Sequence, residues 1–244
     1  MLDYDRIGAR YSLARRTDPA IAKAIRKALG PCETVVNVGA GTGSYEPEDL
    51  RVVAVEPSDV MIRQRPPSAA PAAQAAAEAL PFSEATFDAA LAVFTVHHWQ
   101  DLDRGLAELV RVARDRVVVL MTDTQVEKRF WLNERYLEFD EKRWPSPAEI
   151  LSHLGGGEIV PVPVPHDCQD GFCSAYWRRP QAYLDPTVRS GISYFSTMNP
   201  REVEVGLRRL EDDLASGAWH ERFGYLMALD ELDTGQRLVV AQAS

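Results

Sequence analysis

Cysteine is scarce in this chain: three residues, Cys32, Cys168 and Cys173, among 244. An odd, small number excludes a disulfide-stapled framework and fits a reducing compartment. Cys168 and Cys173 lie near His166, but no second pair of ligands accompanies them, so unpaired thiols and no metal are expected. Long apolar runs are missing too. The longest, such as residues 85–96 and 117–121, have the length of strands rather than of a membrane span. The first residues, MLDYDRIGARY, carry no signal-peptide core, which predicts a cytoplasmic protein with no membrane partner. Clustered positive charge is also absent. The formal net charge is −9, and the nearest approach to a basic patch is Arg6, Arg10, Arg15 and Arg16, spread along an expected N-terminal helix. A surface that follows nucleic-acid phosphates needs more than that, so no nucleic-acid partner is expected.

What is present is an ordinary hydrophobic share of 45%, arranged as short apolar strands alternating with helical patterns. Residues 3–29 read as helix, with Asp18-Pro19 as a cap followed by proline at a first helical position. Strands are expected at 35–38, 51–55, 72–76, 87–94, 116–121, 160–164 and 236–241. Helices are expected at 58–65, 102–112, 130–142, 148–154, 202–216 and 219–231. The fifth strand is almost entirely aliphatic, as a strand covered on both faces should be. The prolines at 161, 163 and 165 restrict the sixth to an edge. Such alternation implies an α/β fold, a parallel sheet with helices on both faces. Residues 167–234, about seventy between the last two strands, far exceed an ordinary connection. The expected organisation is a core of residues 1–166 with 235–244, and a helical cap inserted at 167–234. Val203, Leu207, Leu210 and Leu214 make an apolar stripe suited to packing on the core or on a second subunit, which leaves room for an oligomer.

The strongest local pattern is Val35-Val36-Asn37-Val38-Gly39-Ala40-Gly41-Thr42-Gly43: an apolar strand ending in three glycines spaced by single residues. Glycine tolerates positive φ and lets a ligand approach the backbone. In α/β folds such a turn at the carboxyl end of a strand is where nucleotides bind; the alternative is a tight turn without a ligand. The second strand ends at Glu56-Pro57-Ser58, where a carboxylate can accept from both ribose hydroxyls. Its alternative is an acid at a helix start. A dinucleotide fingerprint would read GxGxxG, yet Ser44 stands where its third glycine belongs. Pro47 and Asp49 leave space for only a very short following helix, a poor seat for a pyrophosphate. A nucleotide-linked oxidoreductase is therefore the disfavoured alternative. A non-catalytic protein that binds the same mononucleoside ligand is the other.

Taken in order, VNVGAGTG at 36–43, VEPS at 55–58, AEALPF at 77–82, FDAALAVFTVHHW at 87–99 and LDRGLAELVRVAR at 102–114 resemble the class I methyltransferases, and among them the type 11 family. The resemblance covers roughly residues 1–122. It implies a Rossmann-like sheet, S-adenosylmethionine as methyl donor and a small-molecule acceptor. It also implies residue roles. Gly39, Ala40 and Gly41 would lie against the methionine part of the donor, and Glu56 would bind the ribose. Pro57 and Met61 would flank the adenine, and the amide of Ala77, before Glu78, would face its edge. Phe94 and Thr95 would lie near the sulfonium. Tyr11 and Arg16 would fold over the donor from the N-terminal helix, unless they are ordinary helix surface. Three departures stand out. Asn37 replaces a usual acid, so recognition of the donor's ammonium would be indirect. Ala76 replaces an acid that would hold the adenine amino group. The helix after the glycine turn is short.

Methyl transfer from a sulfonium needs alignment above all, and a base where the nucleophile carries a proton. His97 and His98 follow the fourth strand, and an unperturbed imidazole, pKa about 6.5, suits that task; family resemblance points to the same positions. Their alternative is to order the loop beside Trp99. The sixth strand, if parallel, delivers the start of the cap above the donor. His166, Asp167, Tyr176, Trp177 and Arg178 are the substrate candidates there, with Arg178 or Arg179 able to grip a carboxylate. The alternative is a structural lid.

Overall fold

The computed structural model describes residues 15–137 and 144–243. Asp18 opens α1 (Pro19–Leu29): its carboxylate accepts from the amides of Ala20 and Ile21, and Pro19 needs no partner at a first helical position. Residues 15–18 are not helical, so the expected helix over 3–29 is shorter at least there; its residues 3–14 lie outside those described. The chain continues through β1 (Thr34–Val38), β2 (Arg51–Val55), α2 (Asp59–Arg63), β3 (Ala72–Ala73), β4 (Phe87–Val93), α3 (Leu102–Val112) and β5 (Ala113–Thr122). Then come α4 (Thr124–Glu127), α5 (Trp131–Arg135), α6 (Pro147–His153), β6 (Glu158–Pro161) and β7 (Val164–Pro165). The cap carries α7 (Pro186–Ser190), α8 (Ser193–Thr197), α9 (Pro200–Ser216) and α10 (Ala218–Phe223). The chain closes with β8 (Glu231–Leu232) and β9 (Gln236–Gln242).

One seven-stranded sheet runs β3-β2-β1-β4-β5-β9-β6. Strands β1 to β5 are mutually parallel, and β9 is antiparallel to both β5 and β6. Thus β6 points the same way as β5, and the start of the cap emerges on the side where the parallel strands end. The parallel strands are those the alternating pattern implied, and the whole is the Rossmann-like class I arrangement that the resemblance implied, with β9 reversed. Alternate residues serve opposite faces. Leu91, Val118 and Leu120 join a core with α1 and the cap, while Ala90, Val117 and Val119 join a second core with α3 and α6. The cap shares the first of these cores through Trp177, Tyr183, Leu210 and Trp219. A two-stranded sheet of β7 and β8 ties the cap's two ends together.

Between Gly43 and Arg51 the chain makes turns and no helix. The very short helix expected there does not form, since Tyr45 takes φ 64°, outside the helical region, and Pro47 follows. The described part of the 130–142 helix is the short α5, and the 219–231 helix ends at Phe223. No helix among the described residues is long and apolar enough to cross a membrane.

Candidate active site

The site forms where β1, β2 and β4 end. At the end of β1 the chain turns at once: the amides of Gly39 and Ala40 both donate to the Val55 carbonyl, at 2.8 and 3.0 Å. Gly39 has φ 70°, and a Cβ there would stand 2.0 Å from Thr95 Oγ1. Only glycine lets this turn lie against the end of β4. The Gly41 amide donates to Glu56 Oε2 at 2.8 Å, and the Ser58 amide donates to Oε1 at 3.0 Å. Ser58 caps α2 by accepting from Met61 N. The helix-start task therefore falls to Ser58, and Glu56 is a carboxylate positioned by two backbone amides on the wall of a cavity.

That cavity, about 240 Å³, brings together Asn37, Gly39, Ala40, Gly41, Glu56, Pro57, Met61, Ala76, Ala77, Glu78, Phe94 and Thr95. Glu78 holds the far wall by accepting from the amides of Gln100 and Asp101. Tyr11 lies outside the described residues. Arg16 is exposed and off the cavity; its neighbour Arg15 lines it instead. Asn37 is buried. Its Nδ2 donates to Glu46 Oε1 at 3.3 Å, and its Oδ1 has no hydrogen-bond partner among the described residues. Glu46 is held by Arg65 at 2.6 Å and by the Ala70 amide, and Arg65 donates to the Gly41 carbonyl. The acid missing at position 37 is thus replaced by an amide leaning on a buried ion pair.

A smaller cavity, about 60 Å³, adjoins the first and shares Arg15, Phe94 and His98 with it. Phe94 adopts φ 50° and packs near Phe172, ring centroids 5.5 Å apart, with the Arg15 guanidinium 5.5 Å from its ring. His97 stacks on Trp144 at 4.0 Å and lies 3.8 Å from His98, centroid to centroid. These are not ordinary imidazoles. Burial, reinforced by His98 and Arg15, holds His97 well below its usual range, and burial pushes His98 down to about 4. Both are neutral near pH 7, and each is a weaker base than an unperturbed imidazole.

The cap residues expected to meet a substrate line neither cavity. Trp177 is fully buried, and its Nε1 donates to the carbonyls of Val164 and Pro165; it is a core residue because its indole is the bulk that fills the junction of cap and sheet. His166 Nδ1 contacts the Asp230 carbonyl, and Arg178 donates to the Leu229 carbonyl, where β7 and β8 close the cap. Arg179 donates to the carbonyls of Cys168 and Ala175 and stacks over Tyr176 at 4.7 Å. Neither arginine lines either cavity. Asp167 and Tyr176 also stand off both cavities.

The type 11 methyltransferase domain family matches residues 36–121. A demethylmenaquinone methyltransferase of Corynebacterium kroppenstedtii is 31% identical over 162 residues, covering 61% of this chain and 70% of that protein. A solved structure from Anabaena variabilis, described as a methyltransferase from an antibiotic biosynthesis pathway, superposes with a TM-score of 0.81. It is 32% identical and covers 93% of this chain and 98% of its own. The chain belongs to the class I methyltransferases, type 11 family. A geranyl diphosphate methyltransferase, at 15% identity and TM-score 0.54, shares the fold alone.

Three residues of this methyltransferase escaped the sequence reading. Asp170, fully buried in the cap, accepts from Arg15 Nε at 2.6 Å and Nη2 at 3.0 Å, and from the Tyr45 hydroxyl at 2.8 Å. It joins the N-terminal segment, the glycine-turn region and the cap. Arg15 differs from Arg16 only by facing inward. Glu127, at the end of α4, lines the smaller cavity; burial alone raises its carboxyl to about 7. The only available signal was the placement of an acid soon after a buried strand.

Proposed function

We propose that this methyltransferase takes its methyl group from S-adenosylmethionine, held in the larger cavity, and passes it to a small-molecule acceptor held in the smaller one. The single observation that carries the donor reading is Glu56. Its carboxylate is fixed by two amides beside a glycine turn, as recognition of a ribose diol requires. The buried, unpartnered Oδ1 of Asn37 supports the fit: it is an acceptor suited to an ammonium donor. Pro57 and Met61 offer an apolar slot for adenine, and Ala76, Ala77 and Glu78 its edge. When bound, the donor supplies an electrophilic methyl on a sulfonium. The chain's own residues orient and enclose. Phe94, with its left-handed backbone, stands between the two cavities together with Arg15 and His98. Neutral His97 and His98 shape the acceptor side, where they stand with Trp144 and Arg15. The Corynebacterium relative is named for demethylmenaquinone, which is not a macromolecule, and that supports an acceptor other than protein or nucleic acid here.

Calorimetric titration with S-adenosylhomocysteine tests this. Wild type should bind it, Glu56→Gln should bind at least tenfold more weakly, a loss of about 1.4 kcal/mol, and NAD should not bind. No binding of S-adenosylhomocysteine at millimolar concentration, or tight binding of NAD, would overturn the reading.

A further inference from the structure

The smaller cavity has an unusual charge balance. Arg15 is neutralised by a two-point ion pair with Asp170. His97 and His98 are neutral. Among the described residues of the wall, that leaves Glu127 as the acid without a compensating charge. Its carboxyl makes no hydrogen bond or ion pair with a described residue, although it lines the space. A largely buried carboxyl without a partner is costly, which favours a ligand able to satisfy it. The same wall carries Phe94, Phe172 and Trp144; the Phe94 ring already faces the Arg15 guanidinium and Trp144 stacks on His97. Among the described residues, the wall therefore presents one acid with no cation against it. Carboxylate and phosphate acceptors would meet an uncompensated acid, while a cation on an apolar body would meet that acid in a space lined by aromatic residues.

We propose that Glu127 is the acceptor-binding carboxylate and that the acceptor is a small amine on an apolar or aromatic body. This rests on the donor reading above. The amine enters as an ammonium, hydrogen-bonded to the Glu127 carboxylate. Before transfer one N–H proton passes to Glu127, and the freed nitrogen lone pair forms the N–C bond as the C–S bond of the donor breaks. The sulfur leaves with the bonding pair, so charge and atoms balance without a further reactant. Burial, which brings the Glu127 carboxyl close to neutrality in its titration, suits it to accept and release that proton. Four described titratable groups around it are shifted away from proton exchange near neutral pH. The Cys173 thiol and the Tyr183 hydroxyl are pushed up by burial, and the two histidines are held neutral.

The probes are benzylamine, benzyl alcohol and benzoate, each titrated calorimetrically into the full chain saturated with S-adenosylhomocysteine. Benzylamine should bind at least tenfold more tightly than the other two. At pH 6.5 its binding should release protons, seen as an enthalpy that varies with the ionisation heat of the buffer. Glu127→Gln should lose tenfold or more in benzylamine affinity and all of the proton release, while keeping wild-type affinity for S-adenosylhomocysteine. Glu127→Asp, which keeps the charge, should recover part of both. The proposal is overturned if benzyl alcohol or benzoate binds as well as benzylamine, if benzylamine does not bind, or if Glu127→Gln binds it unchanged. Failure of the donor reading appears separately, as absent binding of S-adenosylhomocysteine by wild type.

Discussion

Single residues here are governed by what burial does to charge. Glu127 and His98 shift in opposite directions because desolvation disfavours the charged form of each. The signs of their pH effects differ accordingly. His98 is held near 4 in the fold against 6.5 in an unfolded chain. Its neutral fit contributes fully above pH 6.5 and is lost as pH falls toward 4, by on the order of 3 kcal/mol. Glu127 is held near 7 against 4.5. Its neutral fit is present below 4.5 and is lost as pH rises through 7, by a similar order of magnitude. Between 4.5 and 6.5 the two trends oppose each other, so wild-type stability should change little there on their account. Single variants expose them. Glu127→Gln should melt higher than wild type at pH 8 and about equally at pH 4.5. His98→Gln should lose less stability than wild type on acidification from pH 6.5 to 4. Thermal melts across this range check both, and coincident curves for all three proteins would contradict the assigned environments.

At the scale of elements, close approach decides. α9 passes the end of α5 so tightly that a Cβ on Gly206 would stand 1.9 Å from the Tyr136 carbonyl oxygen. On an exposed helix, glycine to alanine gains about 1 kcal/mol from propensity. Gly206→Ala should instead destabilise by about 1–3 kcal/mol, because backbone must move to admit the methyl. Urea denaturation measures this, and a gain in stability would show that the two elements separate cheaply. The helical stripe was readable at this scale. Leu210 is fully buried, with Leu207 and Leu214 packed beside it, in the core shared with the sheet. The absent helix after the glycine turn was only half readable. Pro47 signalled that it would be short, but the left-handed Tyr45, whose hydroxyl is tied to Asp170, belongs to a contact 125 residues away.

For the whole molecule the Arg15–Asp170–Tyr45 cluster is the clasp. Both ion-pair side chains are buried, 9% and 0% exposed, so removing one leaves the other charged in a dry place. Asp170→Ala should cost about 3–5 kcal/mol, and Arg15→Ala combined with Asp170→Ala should cost clearly less than the sum of the two singles. Chemical denaturation of the four proteins gives the coupling; strict additivity would mean the pair does not join cap to core. Since Arg15 lines both cavities, Asp170→Ala should also weaken S-adenosylhomocysteine binding, a readout that a purely local loss in the cap would leave unchanged.

Sequence alone determined the sheet, the glycine turn, Glu56 and the residues strung along the ends of β1, β2 and β4. Each of these depends on short-range rules: alternation along a strand, positive φ at glycine, and a carboxylate next to a helix cap. The acceptor side was decided only by tertiary structure. Which of Arg15 and Arg16 turns inward, whether Trp177 faces a pocket or the core, and whether the histidines keep an ordinary basicity all depend on desolvation and on partners far along the chain. Local pattern carries no term for either, so the lining of the larger cavity could be read from the sequence and that of the smaller one had to be folded first.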